Sequence, residues 1–221
     1  MKVELTNKQD LKENFFKNWG LCSCVCYDTS EELAPNVGKS CLKNGHFSGS
    51  RGQYFVFKVE KAPRSLVDQL VRHEVGVFKN VQSFRYVDKS SLDYYIPELI
   101  METPDALEEY FKAMLNAEES YKKIRDCLKE KYGNDKRINE NARGVLPMNT
   151  NTSVVIGFTI EALINLMNKR LCGRAEEPIR KLANLMKKEV LEVLPELDEY
   201  LVPLCKKLGY CPEGNKSCGG M

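Results

Sequence analysis

The sequence predicts an α+β fold in which an antiparallel sheet is flanked by long helices. Three runs favour β-strands because β-branched and aromatic residues fill them: residues 53–60, 83–87 and 153–159. Apolar residues at helical spacing instead indicate a long helix from about Pro104 to Lys131 and another around Leu185. We expect one sheet that holds the strands near Tyr54 and Arg85, with the long helices near Ala117 and Leu185 packed around it.

The N-terminal part is predicted from capping residues and from alternation. Residues 6–20 have a helical pattern that begins at a Thr, a good N-cap, and ends at a Gly, a residue typical of helix ends. Residues 21–27 carry three cysteines at alternate positions, which favours a buried strand that uses Cys as a small apolar residue. A second helix is expected over about residues 30–43.

The helix predicted over residues 63–73 carries polar side chains that packing in a core does not require. Its first helical position is a proline, and its apolar residues recur at helical spacing. Gln69, Arg72 and His73 fall within one turn of each other. An amide, a guanidinium and an imidazole can therefore converge on one ligand, and this part of the sequence predicts a binding site.

The strand predicted over residues 83–87 adds two polar side chains to that stretch. Because side chains alternate along a strand, Ser83 and Arg85 share one face, and Phe84 and Tyr86 share the other. A hydroxyl beside an arginine is suited to bind a phosphate or the edge of a pyrimidine. The sequence therefore predicts a ligand that carries such a group.

Composition restricts the class of protein. The 221 residues can form one core, so a single domain over residues 1–221 is expected. With 33 basic and 31 acidic residues the formal net charge is +2, so bulk charge does not favour nucleic acid or a membrane surface as a partner. No apolar run approaches the roughly 20 residues that span a bilayer, and the first residues lack a signal-peptide core. We therefore expect a cytoplasmic protein.

Nine cysteines are a high and odd number, and a zinc or iron–sulfur site is one interpretation. The sequence contains no Cys-x-x-Cys pair, and its only histidines are His46 and His73, so the usual spacing of zinc ligands is absent. We favour structural thiols over a metal site and predict no metal ligand.

The stretch from Gln69 to Val87 resembles the signature of the flavin-dependent thymidylate synthases. In that family an Arg-His-Arg triplet at a helix end is followed by Ser-x-Arg-Tyr. Here the triplet is Arg72-His73-Glu74, and the spacer of eight residues before Ser83 is one residue longer than the family's. Upstream, Gly45-His46-Phe47-Ser48 is similar to the family's Gly-His-x-Ser.

A second block, over about residues 139–183, resembles the family's later motifs in order and separation. Residues 142–147 read Ala-Arg-Gly-Val-Leu-Pro, similar to the family's Ala-Arg-x-Val-Leu-Pro. In the helix predicted over residues 160–171, Asn165 and Arg170 match the family in type and spacing. Two collinear blocks rarely arise by chance, and together the resemblance covers about residues 22–194.

The resemblance implies reductive methylation of deoxyuridine monophosphate (dUMP) at C5. Reduced flavin adenine dinucleotide (FAD), recharged by NADPH, would supply the hydride, and methylenetetrahydrofolate the carbon. The expected catalytic residues are Ser83 and Arg170. The residues expected to bind dUMP are Gln69, Arg72, Ser83, Arg85, Arg143 and Arg170. Those expected at the flavin are His46, Arg72, His73, Glu74 and Asn165. The family's sites form between subunits, so a homotetramer is expected.

Four positions that the resemblance assigns to the flavin depart from the family, which has His, Arg, Asn and Arg where this chain has Gly52, Glu74, Thr159 and Glu161. Arg51 stands where the family has Glu, so an exchanged ion pair between Arg51 and Glu74 is one expectation. Positive charge from Lys79 or Lys169 is another. Three functions stay open: a thymidylate synthase with a rearranged flavin pocket, a related enzyme acting on another pyrimidine nucleotide, and a nucleotide-binding protein without flavin chemistry.

Overall fold

The computed structural model describes residues 1–220 and confirms the predicted α+β class. Four strands form an antiparallel sheet in the order β1-β2-β4-β3. They are β1 (Lys2–Leu5), β2 (Phe55–Pro63), β3 (Val77–Val81) and β4 (Asn151–Phe158). The α-helices in the described residues are α1 (Lys8–Tyr27), α2 (Ala34–Lys43), α3 (Arg64–Leu70), α4 (Glu98–Met101), α5 (Pro104–Tyr132), α6 (Arg137–Ala142), α7 (Ile160–Arg170), α8 (Glu177–Leu191) and α9 (Leu204–Leu208).

The chain divides into two compact units. The first unit contains Met1–Lys2, Val59–Val71 and Asn80–Val154, which include α3 to α6. The second unit contains Val3–Lys58, Arg72–Lys79 and the described residues from Val155 onward, which include α1, α2 and α7 to α9. A single domain over residues 1–221 stays a prediction.

In the first unit, the long helix α5 holds the connections before and after it. The helix buries only Met114, Tyr121 and Arg125 among its 29 residues. The Arg125 guanidinium pairs with Asp88 (Nη1 to Oδ2, 2.6 Å) and its Nε donates to Asn139 Oδ1 at 2.9 Å. One buried arginine thereby ties the loop after β3 to α6.

The core of the second unit is built on aromatic residues of α1. Phe15 packs edge-on against Phe55 of β2, with ring centroids 5.2 Å apart, and against Trp19 at 5.7 Å. The Trp19 indole Nε1 donates to the His46 carbonyl oxygen at 3.1 Å. This hydrogen bond fixes the loop that follows α2.

Helix α1 continues past Gly20, so the predicted helix end there, and the strand predicted after it, were wrong. A Cβ on Gly20 would lie 1.7 Å from the Ala34 carbonyl oxygen, and one on Gly38 would lie 2.1 Å from that of Phe16. Glycine therefore permits the close approach of α1 and α2 and does not end the helix. Of the three alternating cysteines only the middle one is buried, because they lie on a helix.

The elements with the strongest sequence patterns are confirmed. The strands predicted over residues 53–60 and 153–159 correspond to β2 and β4, and the helix predicted from Pro104 corresponds to α5. The structure also contains α2, α7 and α8 close to the predicted positions. Within the described residues, none of the helices has the length and apolar content needed to span a membrane.

Candidate active site

A cavity of about 380 Å³ in the first unit brings together residues from both sequence blocks. Ser83 comes from the loop after β3, and Arg143 from the one-turn 3-10 helix Arg143–Val145 that follows α6. Arg64, at the start of α3, and Gln82 also line it. Two guanidinium groups, a hydroxyl and an amide around one concavity can bind a phosphate together with a polar ring edge.

Phe84 anchors the loop that carries Ser83. Its side chain is 8% exposed, with the Arg64 guanidinium 5.6 Å from the ring centroid and the Lys89 ammonium 4.7 Å from it. Lys89 Nζ also donates to Gln82 Oε1 at 3.1 Å, and burial lowers the pKa of this lysine. These two cation–π contacts therefore hold the loop in place beside the cavity.

The strand predicted over residues 83–87 was wrong, because these residues form a turn. The backbone N–H groups of Tyr86 and Val87 both donate to the Ser83 carbonyl oxygen at 3.2 Å. The Arg85 N–H donates to Ser83 Oγ at 3.3 Å. A serine side chain that bonds the backbone two residues on favours a turn over β-pairing.

As a result, Arg85 does not share a strand face with Ser83. Its guanidinium pairs with Glu140 of α6, with Nη2 2.9 Å from Oε2. Arg85 is exposed and Glu140 is half-buried, and the lining of the cavity in the described residues does not include Arg85. A bound phosphate would have to compete with Glu140 for this arginine.

Helix α3 ends at Leu70, so the expected single helical turn that combines Gln69, Arg72 and His73 was wrong. Gln69 lies on α3 in the first unit and is half-buried. Arg72 and His73 follow the helix end, where Arg72 is exposed and His73 is buried. Gln69, Arg72 and His73 therefore do not share one exposed helix face.

In the second unit, His73 lies among positively charged side chains. The imidazole is 7% exposed, and its Nε2 accepts a hydrogen bond from Arg170 Nε at 3.2 Å. Lys79 Nζ donates to the His73 carbonyl oxygen at 2.9 Å. Burial, followed by the positive charges of Arg170, Lys169 and Lys79, lowers the pKa of His73 to about 4. We call these four residues the cationic cluster.

The lowered pKa makes His73 neutral at pH 7. Because Nε2 accepts from Arg170, the single ring proton lies on Nδ1. Burial also lowers the pKa of Arg170. His73 therefore holds one edge of the Arg170 guanidinium without adding charge, and the terminal amino groups of Arg170 stay available to a ligand. Both lysines that the sequence offered as alternative positive charges lie in this cluster.

Arg51 pairs with Glu161 and not with Glu74. The expected ion pair between Arg51 and Glu74 was therefore wrong. Arg51 Nε lies 2.9 Å from Glu161 Oε2, and Nη2 lies 3.3 Å from Oε1. Glu74 is exposed and makes no ion pair among the described residues. The family pattern has Glu at position 51 and Arg at position 161, so both charges are reversed in this chain and the two residues remain oppositely charged.

A cavity of about 670 Å³ in the second unit is larger and mixed in character. Its polar lining includes Asn165 and Asn168. Three lysines, two carboxylate residues and two aromatic residues also line it: Lys43, Lys206, Lys207, Glu161, Glu199, Phe47 and Tyr200. Asn168 Oδ1 is buried and has no hydrogen-bond partner among the described residues. Such an acceptor can take a hydrogen bond from a ligand or from a water molecule.

Two further expected residues adjoin this cavity in different ways. Asn165 lines it from α7. The His46 side chain is exposed, while its neighbours Gly45 and Phe47 line the cavity. Thr159 caps α7, since its Oγ1 accepts from the Ala162 N–H at 3.4 Å, so its role is at least partly structural.

The sequence pattern did not predict Arg64, Lys206 or Lys207 as lining residues. Arg64 stands directly after Pro63, at the start of α3, where a ligand can approach. Lys206 and Lys207 lie in α9, a helix too short to show a periodic pattern. Their adjacency was the only signal available.

Comparison with known proteins identifies relatives over most of the chain. The family model described as "thymidylate synthase complementing protein" matches residues 12–196. A flavin-dependent thymidylate synthase of Nitratidesulfovibrio vulgaris is 37% identical over 181 residues, covering 81% of this chain and 74% of the relative. One of Clostridium tetani is 36% identical over 200 residues, covering 87% and 80%. One of Pyrococcus abyssi is 32% identical over 180 residues, covering 78% and 70%.

Proposed function

Because this chain belongs to the flavin-dependent thymidylate synthase family, it is a transferase that forms thymidylate with a flavin, and we propose reductive methylation of dUMP at C5 as its reaction. The observation that carries the proposal is the convergence of Ser83 and Arg143, from separate sequence blocks, on one cavity. NADPH as reductant and methylenetetrahydrofolate as carbon donor are part of the same proposal.

The cavity of the first unit is proposed to bind the nucleotide. Arg143 and Arg64 would hold the phosphate, and the Ser83 hydroxyl would donate to it or to the pyrimidine. Arg85 would join them by exchanging Glu140 for the phosphate, because an exposed ion pair is a weak competitor. Gln69 and Arg72 stay proposed nucleotide ligands on the strength of the resemblance.

Arg170 is the proposed electrostatic catalyst. On the strength of the resemblance, its guanidinium would polarise a pyrimidine and stabilise negative charge that develops on the ring. His73 positions it through the Nε hydrogen bond, and the neutral imidazole does not compete for an anionic ligand. In this scheme Ser83 and Arg170 are the catalytic residues, and no side-chain nucleophile is required.

The second unit fits a flavin by the chemistry of its donors. Asn165, the unpartnered Asn168 and the three lysines of the 670 Å³ cavity would hold the ring system and the pyrophosphate. Bound FAD would supply the hydride. The carboxylate of Glu161 does not oppose an anionic cofactor, because Arg51 neutralises it. His46, Arg72, His73 and Glu74 are the other proposed flavin neighbours.

Assembly into a homotetramer is also proposed. Helix α5 and the short α4 before it expose apolar side chains at Leu99, Met101, Phe111 and Leu115. Exposed apolar groups of this kind on adjoining helices are typical of subunit interfaces. Light scattering on the eluted protein tests it: we expect a tetramer for the parent chain and smaller species for Leu115→Glu. A cytoplasmic location remains a prediction.

The proposed function is tested with the purified protein and with a strain that requires thymidine. We expect a yellow protein that converts dUMP to thymidylate with NADPH and methylenetetrahydrofolate, and a gene that rescues the strain. Arg137→Ala, an exposed arginine paired with Asp135, is the matched control for Arg143→Ala. Yellow protein that makes no thymidylate would indicate a related nucleotide enzyme, and colourless protein that still binds nucleotide would indicate loss of the flavin chemistry.

A further inference from the structure

Four of the nine cysteines line one small cavity in the second unit. The cavity measures about 240 Å³. Cys172 follows α7, Cys205 lies on α9, and Cys211 and Cys218 lie in the segment after α9. All four thiols are free. Cysteines that stand far apart in the sequence have therefore been gathered by the fold.

The residues around the four thiols carry more positive than negative charge. Lys169 and Arg174 line the same cavity, and Glu213 is the only carboxylate among its lining residues in the described chain. Arg174 Nη1 pairs with Glu213 Oε2 at 2.6 Å, which ties the last segment to the residues after α7. Cys218 Sγ lies 3.1 Å from the position that a Cβ on Gly173 would occupy, so it stands beside the residue that follows Cys172.

The segment that supplies three of these thiols has no core of its own. From residue 202 to residue 220 no side chain is buried. The only helices in this segment are α9, with five residues, and a 3-10 turn at Gly214–Lys216. Small segments that bury so little are usually held by a cross-link or by a metal ion.

We propose that Cys172, Cys205, Cys211 and Cys218 bind one zinc ion that fixes the C-terminal segment to the end of α7. Four thiolates form the all-cysteine ligand set of tetrahedral structural zinc sites, and soft sulfur ligands select zinc over magnesium or calcium. Binding releases the four thiol protons and leaves a complex with a net charge of two negative units, which Lys169 offsets in part, since Arg174 is already paired with Glu213.

Zinc binding has to close the cavity. Among the described residues, no three Cys, His, Asp or Glu side chains stand in a geometry that would hold a metal ion. The exposed Cys218 and the short segment around it carry no buried contacts that oppose such a movement. Successive cysteines of the segment are also spaced more widely than the usual paired ligands, which is why the sequence did not favour a metal site.

Metal analysis of untagged protein, purified with a reductant and then offered one equivalent of zinc, tests the proposal. We expect one bound zinc per chain after gel filtration, and loss of it in each of the four single Cys→Ser variants. The exposed cysteines elsewhere supply matched controls: Cys22→Ser, Cys26→Ser and Cys127→Ser should keep the ion. Cobalt substitution should give the intense visible absorption of a tetrahedral thiolate site.

A variant that fails to fold does not remove the test, because the parent chain can be compared with and without a chelator. Removing zinc should speed proteolysis after residue 201 while the helical signal is retained. The proposal would be overturned by a chain that holds no zinc after reconstitution. A disulfide among the four cysteines, or iron in place of zinc, would also overturn it. Metal content is independent of thymidylate formation, so this result and the proposed function stand or fall separately.

Discussion

The cavity of the first unit and the cationic cluster of the second differ in how far their polar side chains are exposed and in whether those side chains are paired. In the first, Arg143 is exposed, and Ser83 lies in a turn at the surface. In the second, His73 is buried and held by Arg170, and the departures at positions 51 and 161 form a pair. An arginine in contact with water needs no partner, whereas a buried titratable group requires one. Loss of a partner is therefore costly for the buried His73, and less costly for the exposed Arg143 and for the exposed pair of Arg51 and Glu161.

The largest expected effect concerns His73, the buried residue of the second region. The pKa of His73 in the folded chain, about 4, lies below its ordinary value of 6.5. Below pH 6.5 the unfolded chain therefore takes up a proton that the folded chain does not. This group therefore leaves the free energy of unfolding unchanged above pH 6.5 and lowers it by about 3 kcal/mol as pH falls to about 4.

Urea unfolding at several pH values checks this. His73→Gln cannot take up the proton, so its stability should fall less than that of the parent between pH 7 and pH 4. The exposed His46 gives the matched control, since His46→Gln should follow the parent. Identical pH dependence in parent and His73→Gln would show that the imidazole is not buried in neutral form.

The second prediction concerns the exposed arginine of the first region. Arg143→Ala should weaken dUMP binding by about 2–3 kcal/mol, or roughly 30- to 150-fold, as expected for losing a charged hydrogen bond to phosphate. Arg143→Lys should retain part of the affinity, because the charge remains while the bidentate geometry is lost. Calorimetric titration gives both values. An Arg143→Ala affinity equal to that of Arg137→Ala would remove Arg143 from the site.

The third prediction tests compensation in the second region. Arg51→Glu and Glu161→Arg each place like charges together and should lower flavin affinity several-fold, while the double reversal should return it to within about twofold of the parent. The pair Arg51→Glu and Glu74→Arg should show no such coupling, because Arg51 has Glu161 as its partner. Additive effects in the first cycle would mean that the ion pair plays no part in the flavin site.

The smallest expected effect is at Glu140. Glu140→Gln removes the partner of Arg85 and should tighten dUMP binding by about two- to threefold, since an exposed ion pair is weak. In an Arg85→Ala background the same change should have no effect. If Glu140→Gln alters affinity equally in both backgrounds, Arg85 does not exchange Glu140 for the phosphate.

Sequence patterns predicted the elements that depend on local chemistry. The period of α5 and the β-branched residues of β2 and β4 were sufficient, because each element buries one regular face. The turn at residues 83–87 was missed, since a serine-to-backbone hydrogen bond outweighed the β-propensity of Phe84 and Tyr86. The second region could not be predicted in detail, because His73 and Arg170 are separated by 97 positions and meet only in the fold.

The two glycines where α1 meets α2 restrict how this chain can be made more heat-resistant by redesign. Alanine in place of a glycine inside a helix commonly adds about 1 kcal/mol of stability. At Gly20 and Gly38 the added methyl group would lie 1.7 Å and 2.1 Å from carbonyl oxygens, so the helices would have to separate. A consensus or propensity-based library should therefore hold both positions fixed. Gly52 has space for a Cβ, which would meet nothing within 4 Å, but it lies in a turn, so no gain from helix propensity is expected there.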